Sequence, residues 1–422
     1  MLGFSSLGIQ PGIGRSRSEE WLIQLFCLSI VLLPLGFLTV KSWGTALPLI
    51  TFLLSIFLIA MRWQEVELTK TDLMFCFAFL SPFFIDLAAQ LLRSDLIPRQ
   101  LDASSRLIVF VSIYMALKTL KPKIGPLFGI SISVGLIFSL GHLYVDPEHH
   151  WGERWASHPS DPNTLGLFTA TLLGYLFFRA GERSTSTTSR LVTISGIFSG
   201  GVILIASQSR GAWLASAVLF ACACWVHRRS MHQTLVAILI PLAIAAAALV
   251  SLKPALIDRA LSIPQEIGGW IKGTADVNSG SIRLDMLLLS GPLVMNAPAL
   301  LHGYGDGAYK DKALAIASSQ GELAAADTLR VTPHNEVIGK LLKSGVFGGI
   351  AAALVLLLPV IAAIQVAKRA DTNEATWPWF GLALGTCLAS LTMGVLGLAY
   401  TASFHAIVSA IICSQSVFAR TR

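Results

Sequence analysis

Long apolar segments alternate with short polar connections along most of this 422-residue chain. An α-helix needs about 20 apolar residues to cross a bilayer, so each such segment is a predicted membrane span. We count twelve of them, over 21–40, 43–61, 73–92, 101–117, 124–145, 163–178, 191–207, 211–226, 234–252, 346–366, 378–398 and 400–418. The pattern predicts an all-α polytopic membrane protein with about 12 transmembrane helices.

One hydrophilic stretch, residues 253–333, is too long to be a simple connection. Its composition predicts helices over 281–296 and 311–327, with a glycine-rich turn at 303–307 between them. The chain therefore divides into three predicted regions: spans 1–9 within residues 1–252, a small helical cap over 253–333, and spans 10–12 within residues 334–422.

The composition agrees with this organisation, since 54% of the residues are hydrophobic, only 13% are charged and the mean hydropathy is +0.68. These values exclude a soluble globular protein. Basic residues recur in every second connection, for example Lys121 and Lys123 or Arg228 and Arg229. Short cytoplasmic loops carry such an excess, so both termini are predicted to be cytoplasmic and residues 253–333 to face outward. The net charge of +7 thus reflects topology and indicates no nucleic-acid partner.

The residue that suggests chemistry is His334, in the run Thr332-Pro333-His334-Asn335-Glu336 where the hydrophilic stretch meets span 10. Thr332 suits the N-cap and Pro333 the first helical position, so His334 is predicted in the first turn of a helix. There the helix dipole favours neutral imidazole over imidazolium. A neutral histidine is a competent general base, and the same helix end attracts an anion. The alternative is a structural histidine whose hydrogen bonds the fold satisfies.

Three arginines near the predicted outward face are candidate ligands of an anionic group. Arg210 lies at the junction of spans 7 and 8, followed by Gly211, which permits a tight turn or close helix contact. Arg283 begins an outer helix, and Arg154 lies in the other polar outward loop. Each of the three is alternatively an interfacial anchor that binds no ligand.

The chain offers no pattern of metal ligands. No Asp-x-Asp motif occurs in it, and its six cysteines lie in apolar spans, at spacings that fit neither a metal site nor a disulfide framework. We therefore expect chemistry without a metal or another cofactor, in which arginines take the place of a divalent cation beside phosphate.

Four short motifs follow one another in the second half of the chain. They are Ser209-Arg210-Gly211-Ala212-Trp213, Ser279-Gly280-Ser281-Ile282-Arg283-Leu284, Gly303-Tyr304-Gly305-Asp306-Gly307, and His334-Asn335 running to Gly345-Val346-Phe347-Gly348. In this order and topological setting, the chain resembles the O-antigen ligase/polymerase superfamily of bacterial polysaccharide assembly. The motifs cover about residues 205–350. One departure is Asp285-Met286, where an aromatic residue often follows the outer-helix arginine.

The resemblance implies a GT-C-like enzyme of the bacterial inner membrane whose active site faces the periplasm. The implied donor is an O-antigen polysaccharide linked to undecaprenyl diphosphate, and the implied acceptor is a sugar hydroxyl of the lipid A-core. The implied reaction is metal-independent and inverts the anomeric carbon. In it, His334 is the general base, Arg210, Arg283 and Arg154 neutralise the diphosphate, and Asn335, Gly211, Gly303 and Gly305 support the site.

Two alternatives remain beside the ligase. The outward region before span 10 and the His-Asn helix favour a ligase, and an O-antigen polymerase is the alternative within the superfamily. A membrane transporter or flippase is the alternative from another class, because it too has many spans with charges such as Asp86, Asp102 and Arg106 inside them. Many transporters show paired halves, and this sequence shows no such symmetry.

Overall fold

The computed structural model describes residues 16–146, 148–151, 154–182, 186–228, 231–252, 255–272, 279–295, 297–305, 308–309, 311–312, 314–315, 334–369 and 376–418. Within these residues the secondary structure consists of helices and an isolated β-bridge between Ser157 and Ser160. The helices are α1 (Arg17–Gly36), α2 (Trp43–Met61), α3 (Lys70–Arg93), α4 (Asp102–Ser105), α5 (Val109–Leu120), α6 (Gly125–Val145), α7 (Pro162–Ala180), α8 (Thr187–Ala206), α9 (Arg210–Val226), α10 (Met231–Leu252), α11 (Ala255–Ile271), α12 (Ser279–Val294), α13 (Ala297–His302), α14 (Glu336–Arg369), α15 (Trp377–Ser390) and α16 (Ala399–Phe418). Short 3-10 helices cover Trp63–Glu65, Pro98–Leu101, Arg106–Ile108, His149–Trp151 and Val395–Gly397.

Every one of the twelve predicted spans contains helix. Of the helices that the structure describes, 7 are long and apolar enough to cross a membrane by length and composition: Arg17–Gly36, Trp43–Met61, Lys70–Arg93, Pro98–Leu120, Gly125–Val145, Thr187–Ala206 and Glu336–Lys368. The all-helical, multi-pass character is therefore supported. The count of twelve spans, the outward cap and the three predicted regions stay predictions. Helix α12 corresponds to the helix predicted over 281–296, whereas most of 311–327 lies outside the described residues.

Helix α7 forms the centre of the bundle, and it is buried on all sides from Thr164 to Ala180. Its glycines suit it to this place, because small residues let neighbouring helices approach closely within a membrane bundle. It packs against α8, α9 and α15. Small residues permit the contact with α15, because a Cβ added at Gly174 would lie 2.8 Å from the carbonyl oxygen of Gly381.

Helix α14 packs against α3 and is kinked at Gly345, where φ is 73° and ψ is −166°. A positive φ is strained for a residue with a Cβ, so glycine is required at this bend. The kink also makes room for the preceding short helix α13, because a Cβ at Gly345 would lie 2.8 Å from the backbone nitrogen of His302. The first segment of α14, Glu336 to Ser344, is thereby set apart from the long apolar segment that follows.

The prediction of one continuous span over 378–398 is wrong in its last third. Helix α15 ends at Ser390, and residues 391–398 form turns and the 3-10 helix Val395–Gly397 before α16 begins. The physical reason is a buried carboxylate: Glu336 accepts a hydrogen bond from the backbone N–H of Leu396 at 2.7 Å. This bond satisfies a backbone group that no longer has a helical partner. Residues 391–398 contain no α-helix and are called the non-helical segment below.

The kink at Gly345 gives a direct test of this arrangement. We expect Gly345→Ala to lower the melting temperature of the detergent-purified protein, because its φ and ψ lie in a region open essentially only to glycine, where a Cβ costs about 1–3 kcal/mol, and because the new methyl meets the backbone of α13. Gly141→Ala is the matched control, since a Cβ at Gly141 in α6 would meet nothing within 4 Å. Equal melting temperatures for the two variants would contradict the constraint.

Candidate functional site

A cavity of about 970 Å³ opens at the end of the bundle where α3 and α15 end and α7, α9 and α14 begin. It is bounded by α3, the 3-10 helix Pro98–Leu101, the first segment of α14 and the non-helical segment. Its charged and titratable lining residues are Asp86, Arg93, Arg99, Asp102, Asp161, His334, Glu336, Lys340 and Lys343. The cavity can therefore take a polar, charged ligand, and it contains the predicted general base.

His334 lies just before helix α14 and not in its first turn, so this part of the prediction is wrong. The helix begins at Glu336, and His334 has a left-handed backbone with φ of 47°. Asn335 is the residue that caps the helix, because its side-chain oxygen accepts a hydrogen bond from the backbone N–H of Ile338 at 3.1 Å. Asparagine is a stronger N-cap than threonine, which explains the later start. Thr332 and Pro333 lie outside the described residues.

The two residues after His334 attach α14 to the non-helical segment. The amide nitrogen of Asn335 donates to the carbonyl oxygen of Leu391 at 3.4 Å. Glu336, only 3% exposed, accepts from the backbone N–H of Leu396. His334 itself has the left-handed backbone, and the two residues that follow it make bonds that hold the helix start, so its half-buried ring has a defined position at the cavity wall.

A buried ion pair fixes the first segment of α14 from the opposite side. The Lys340 ammonium lies 2.6 Å from the carboxylate of Asp86 on α3, and the Ser344 hydroxyl donates to the same carboxylate at 2.6 Å. Lys340 and Ser344 are four residues apart and therefore share one face of the helix. The sequence showed Asp86 only as a charge inside a span. Its partners are more than 250 residues away, so no local sequence pattern indicated the ion pair.

Arg93, at the end of α3, joins the same wall. Its guanidinium contacts Asp95 at 2.9 Å and donates to the carbonyl oxygens of Lys343, at 3.0 Å, and of His302. These carbonyls lie at the ends of helical segments, where helical partners are missing. Sequence reasoning did not single out Arg93, because its acceptors are backbone atoms that no motif reveals.

Two of the predicted supporting glycines, Gly303 and Gly305, lie where the chain after α13 docks on α14. Gly303 and Gly305 both have positive φ, at 66° and 70°. The turn between them adds two backbone hydrogen bonds, from Tyr304 to the carbonyl of Leu342 at 2.7 Å and from Gly305 to the carbonyl of Lys343 at 3.1 Å. The glycines therefore shape the fold beside the cavity, and Gly305 also lines it.

Arg210 is the first residue of α9 and lies next to the cavity wall without lining it. Its guanidinium donates to the hydroxyl of Ser262 on α11 at 2.8 Å. Gly211 faces Thr392 of the non-helical segment, where an added Cβ would lie 3.1 Å from the threonine hydroxyl. Since Asn335 binds Leu391, the start of α9 and the start of α14 contact adjacent residues of this segment.

Arg154 contacts the fold at two points. Its guanidinium donates to the carbonyl of Ser207 at 3.1 Å and to the side-chain oxygen of Asn163 at 2.8 Å. Ser207 belongs to the turn between α8 and α9, and Asn163 lines the cavity. Arg154 therefore supports the turn that presents Arg210, and its role as a phosphate ligand stays a prediction. Arg283 belongs to α12 by its backbone, and its side chain lies outside the described part of the structure.

Fold and site together define a multi-pass helical protein with a polar, charged cavity at one end of the bundle. Residues 195–353 match a family model described as O-antigen ligase. The match runs from α8 into α14 and contains Arg210, Arg283 and His334. It confirms the resemblance to the O-antigen ligase/polymerase superfamily and indicates a glycosyltransferase-like enzyme whose substrates include lipid-linked polysaccharide.

One curated relative covers most of the chain. An uncharacterized protein of Haemophilus influenzae is 24% identical over 359 residues, which are 82% of this chain and 84% of the relative. The similarity thus extends well beyond the segment that the family model matches.

The buried ion pair gives a testable prediction. Removing one partner of such a pair leaves an uncompensated charge and costs about 3–5 kcal/mol. We expect Lys340→Met to lower the melting temperature more than the double variant Asp86→Asn/Lys340→Met, in which neither charge remains.

The control for this pair is Arg106→Met. Arg106 lies 3.1 Å from Asp102, and both side chains are substantially exposed, at 30% and 52%. An exposed pair contributes at most about 1 kcal/mol, so the melting temperature should hardly change. A single Lys340 variant as stable as the control would show that the pair does not hold α14.

Proposed function

We propose that the protein is an O-antigen ligase, which transfers polysaccharide from undecaprenyl diphosphate to a sugar hydroxyl of the lipid A-core. In this proposal it is a twelve-span protein of the inner membrane with both termini in the cytoplasm, and the cavity opens to the periplasm. The observation that carries the proposal is the position of His334: within the family match, at the start of α14, in a cavity lined by charged and polar side chains.

The reaction is a single displacement. His334 takes the proton of the acceptor hydroxyl while the oxygen of that hydroxyl forms a bond to the anomeric carbon of the donor sugar. The bond from that carbon to the diphosphate oxygen breaks, and the diphosphate leaves with the electron pair. Because attack and departure occur on opposite faces, the configuration at the anomeric carbon is inverted.

The leaving diphosphate requires positive charge. Arg210 supplies it at the start of α9, where the backbone N–H groups of the first helical turn also favour an anion. Arg283 is the second proposed ligand, and Arg154 acts at least through the turn that it supports. Arginine suits this task because its planar guanidinium binds two phosphate oxygens at once, so no metal ion is required in the proposed reaction.

The position of the cavity supports an enzyme over a transporter. It lies at one end of the bundle, around the termini of helices, whereas a secondary transporter places its substrate at mid-membrane depth. A polymerase would use the same cavity and the same base. The product distinguishes the two activities, since a ligase forms one new linkage on each lipid A-core and a polymerase lengthens the lipid-linked chain.

Substitution of the base tests the mechanism. We expect His334→Ala to reduce transfer in a reconstituted assay by roughly 10²–10⁴-fold at an unchanged melting temperature, because general-base catalysis contributes about that factor. His232→Ala is the control: it removes an exposed histidine at the opposite end of the bundle and should leave transfer intact. Transfer by the His334 variant at a near-normal rate, or loss of wild-type transfer on adding a chelator, would exclude this mechanism.

A further inference from the structure

An apolar groove of about 470 Å³ runs between α8, α9, α10 and α11, separate from the charged cavity. Its walls are Leu204 and Ile205 of α8, Trp213 and Phe220 of α9, and Leu242 and Val250 of α10. Among its described lining residues, only Trp213 and Ser216 have polar side-chain atoms, and the Trp213 indole N–H already donates to the carbonyl of Leu204 at 3.0 Å. The groove therefore suits a hydrocarbon chain, and its described lining has few hydrogen-bonding groups for a sugar.

One end of the groove meets Arg210. Trp213 lies one turn along α9 from this arginine, and Leu261, which lines the groove, adjoins Ser262, which Arg210 binds at 2.8 Å. The helices that place the guanidinium, α9 and α11, are thus also two walls of the groove. A cation at the end of an apolar channel is complementary to a lipid whose headgroup is anionic.

The groove is built as a channel with an open side. Small residues line it, namely Ala217 on α9 and Ala246 on α10, and Gly201 on α8 lets Leu242 approach, since an added Cβ would lie 2.7 Å from Leu242 Cδ2. On α11, Ile257 and Leu261 are four residues apart and share one face, yet they are 46% and 65% exposed. These apolar side chains stay uncovered along the groove, as expected where a chain from the membrane enters from the side.

We propose that this groove holds the isoprenoid chain of the donor, with its diphosphate beside Arg210. This inference rests on the proposed function, and it separates the two substrates in space. The donor lipid lies along α9 and α11, and the saccharides meet in the charged cavity beside His334. The non-helical segment lies between them, since Thr392 contacts Gly211 and Leu391 binds Asn335.

A diphosphate lipid fits this position better than a phospholipid of the bilayer. Of two adjacent phosphates, one can bind the Arg210 guanidinium and the other the helix start, whereas the single phosphate of a phospholipid can occupy only one of these positions. The apolar walls alone would accept any chain. Binding by the groove should therefore depend on chain and headgroup together.

The first experiment fills the groove from two sides. We expect Ala217→Trp and Ala246→Trp each to raise the KM for the lipid-linked donor about tenfold or more, with kcat and the KM for the acceptor nearly unchanged, because each buried CH₂ group of the chain contributes about 0.8 kcal/mol. Val218→Trp is the control, since Val218 is the next residue of α9, 37% exposed and outside the groove. Equal donor KM values for groove and control variants would overturn the proposal.

The second experiment needs neither substitution nor catalysis. Undecaprenyl diphosphate with a diazirine on its isoprenoid chain is added to the wild-type protein in phosphatidylglycerol vesicles, and labelled peptides are mapped after irradiation. We expect labels within α8 to α11 that unlabelled undecaprenyl diphosphate competes away. Labels elsewhere, or equal labelling of these helices by a phosphatidylglycerol with a diazirine on its acyl chain, would overturn the proposal.

The two experiments separate this inference from the proposed function. Competed labelling of the groove in a protein that transfers no polysaccharide would support the groove and contradict the ligase. Transfer to lipid A-core with labels outside α8 to α11 would support the ligase and contradict the groove.

Discussion

The carboxylate of Asp86 is the point on which the site depends. It reaches from α3 to the first segment of α14, where it pairs with Lys340 and accepts a hydrogen bond from Ser344. A buried charge of this kind is stable only while its partners stay in place, so it specifies one position for the segment. The kink at Gly345 isolates that segment from the long apolar part of α14 and lets it lie against α3 and α13.

The positions of the other groups of the site follow from the ion pair between Asp86 and Lys340. With the segment held, Glu336 binds Leu396 and Asn335 binds Leu391, so the non-helical segment is ordered against the helix start. Thr392 in that segment contacts Gly211 and so brings the start of α9 close. The residues next to His334 and Arg210 thus contact adjacent positions of the non-helical segment. In the proposed reaction this relation sets where the proton is taken and where the diphosphate leaves.

Much of this fold could be predicted from the pattern of apolar residues, because hydrophobic length identifies helices in a membrane chain. The same pattern failed at 391–398, since these residues are as apolar as a span and their bonds to the distant Asn335 and Glu336 carry no local signal. The capping residues placed the start of α14 too early, because Thr332 and Asn335 can both cap a helix and the folded chain uses Asn335.

Some residues of the candidate site could likewise be predicted from the sequence, and others could not. His334 could be found by its place at a boundary, and Arg210 and the glycines by short motifs. Asp86, Lys340 and Arg93 could not, because their contacts join residues about 250 positions apart or involve backbone carbonyls. Arg154 has a structural task that the sequence did not reveal, holding the turn before α9, and its role as a phosphate ligand stays a prediction.

Chemical rescue tests the central claim, that His334 is the base, most directly. Imidazole added to the His334→Ala protein can occupy the space that the side chain leaves at the wall of a cavity of about 970 Å³. If His334 removes the acceptor proton, transfer should return in proportion to the concentration of neutral imidazole as pH and total imidazole are varied. A rate that follows imidazolium instead, or that does not respond to imidazole in the folded variant, would contradict the account.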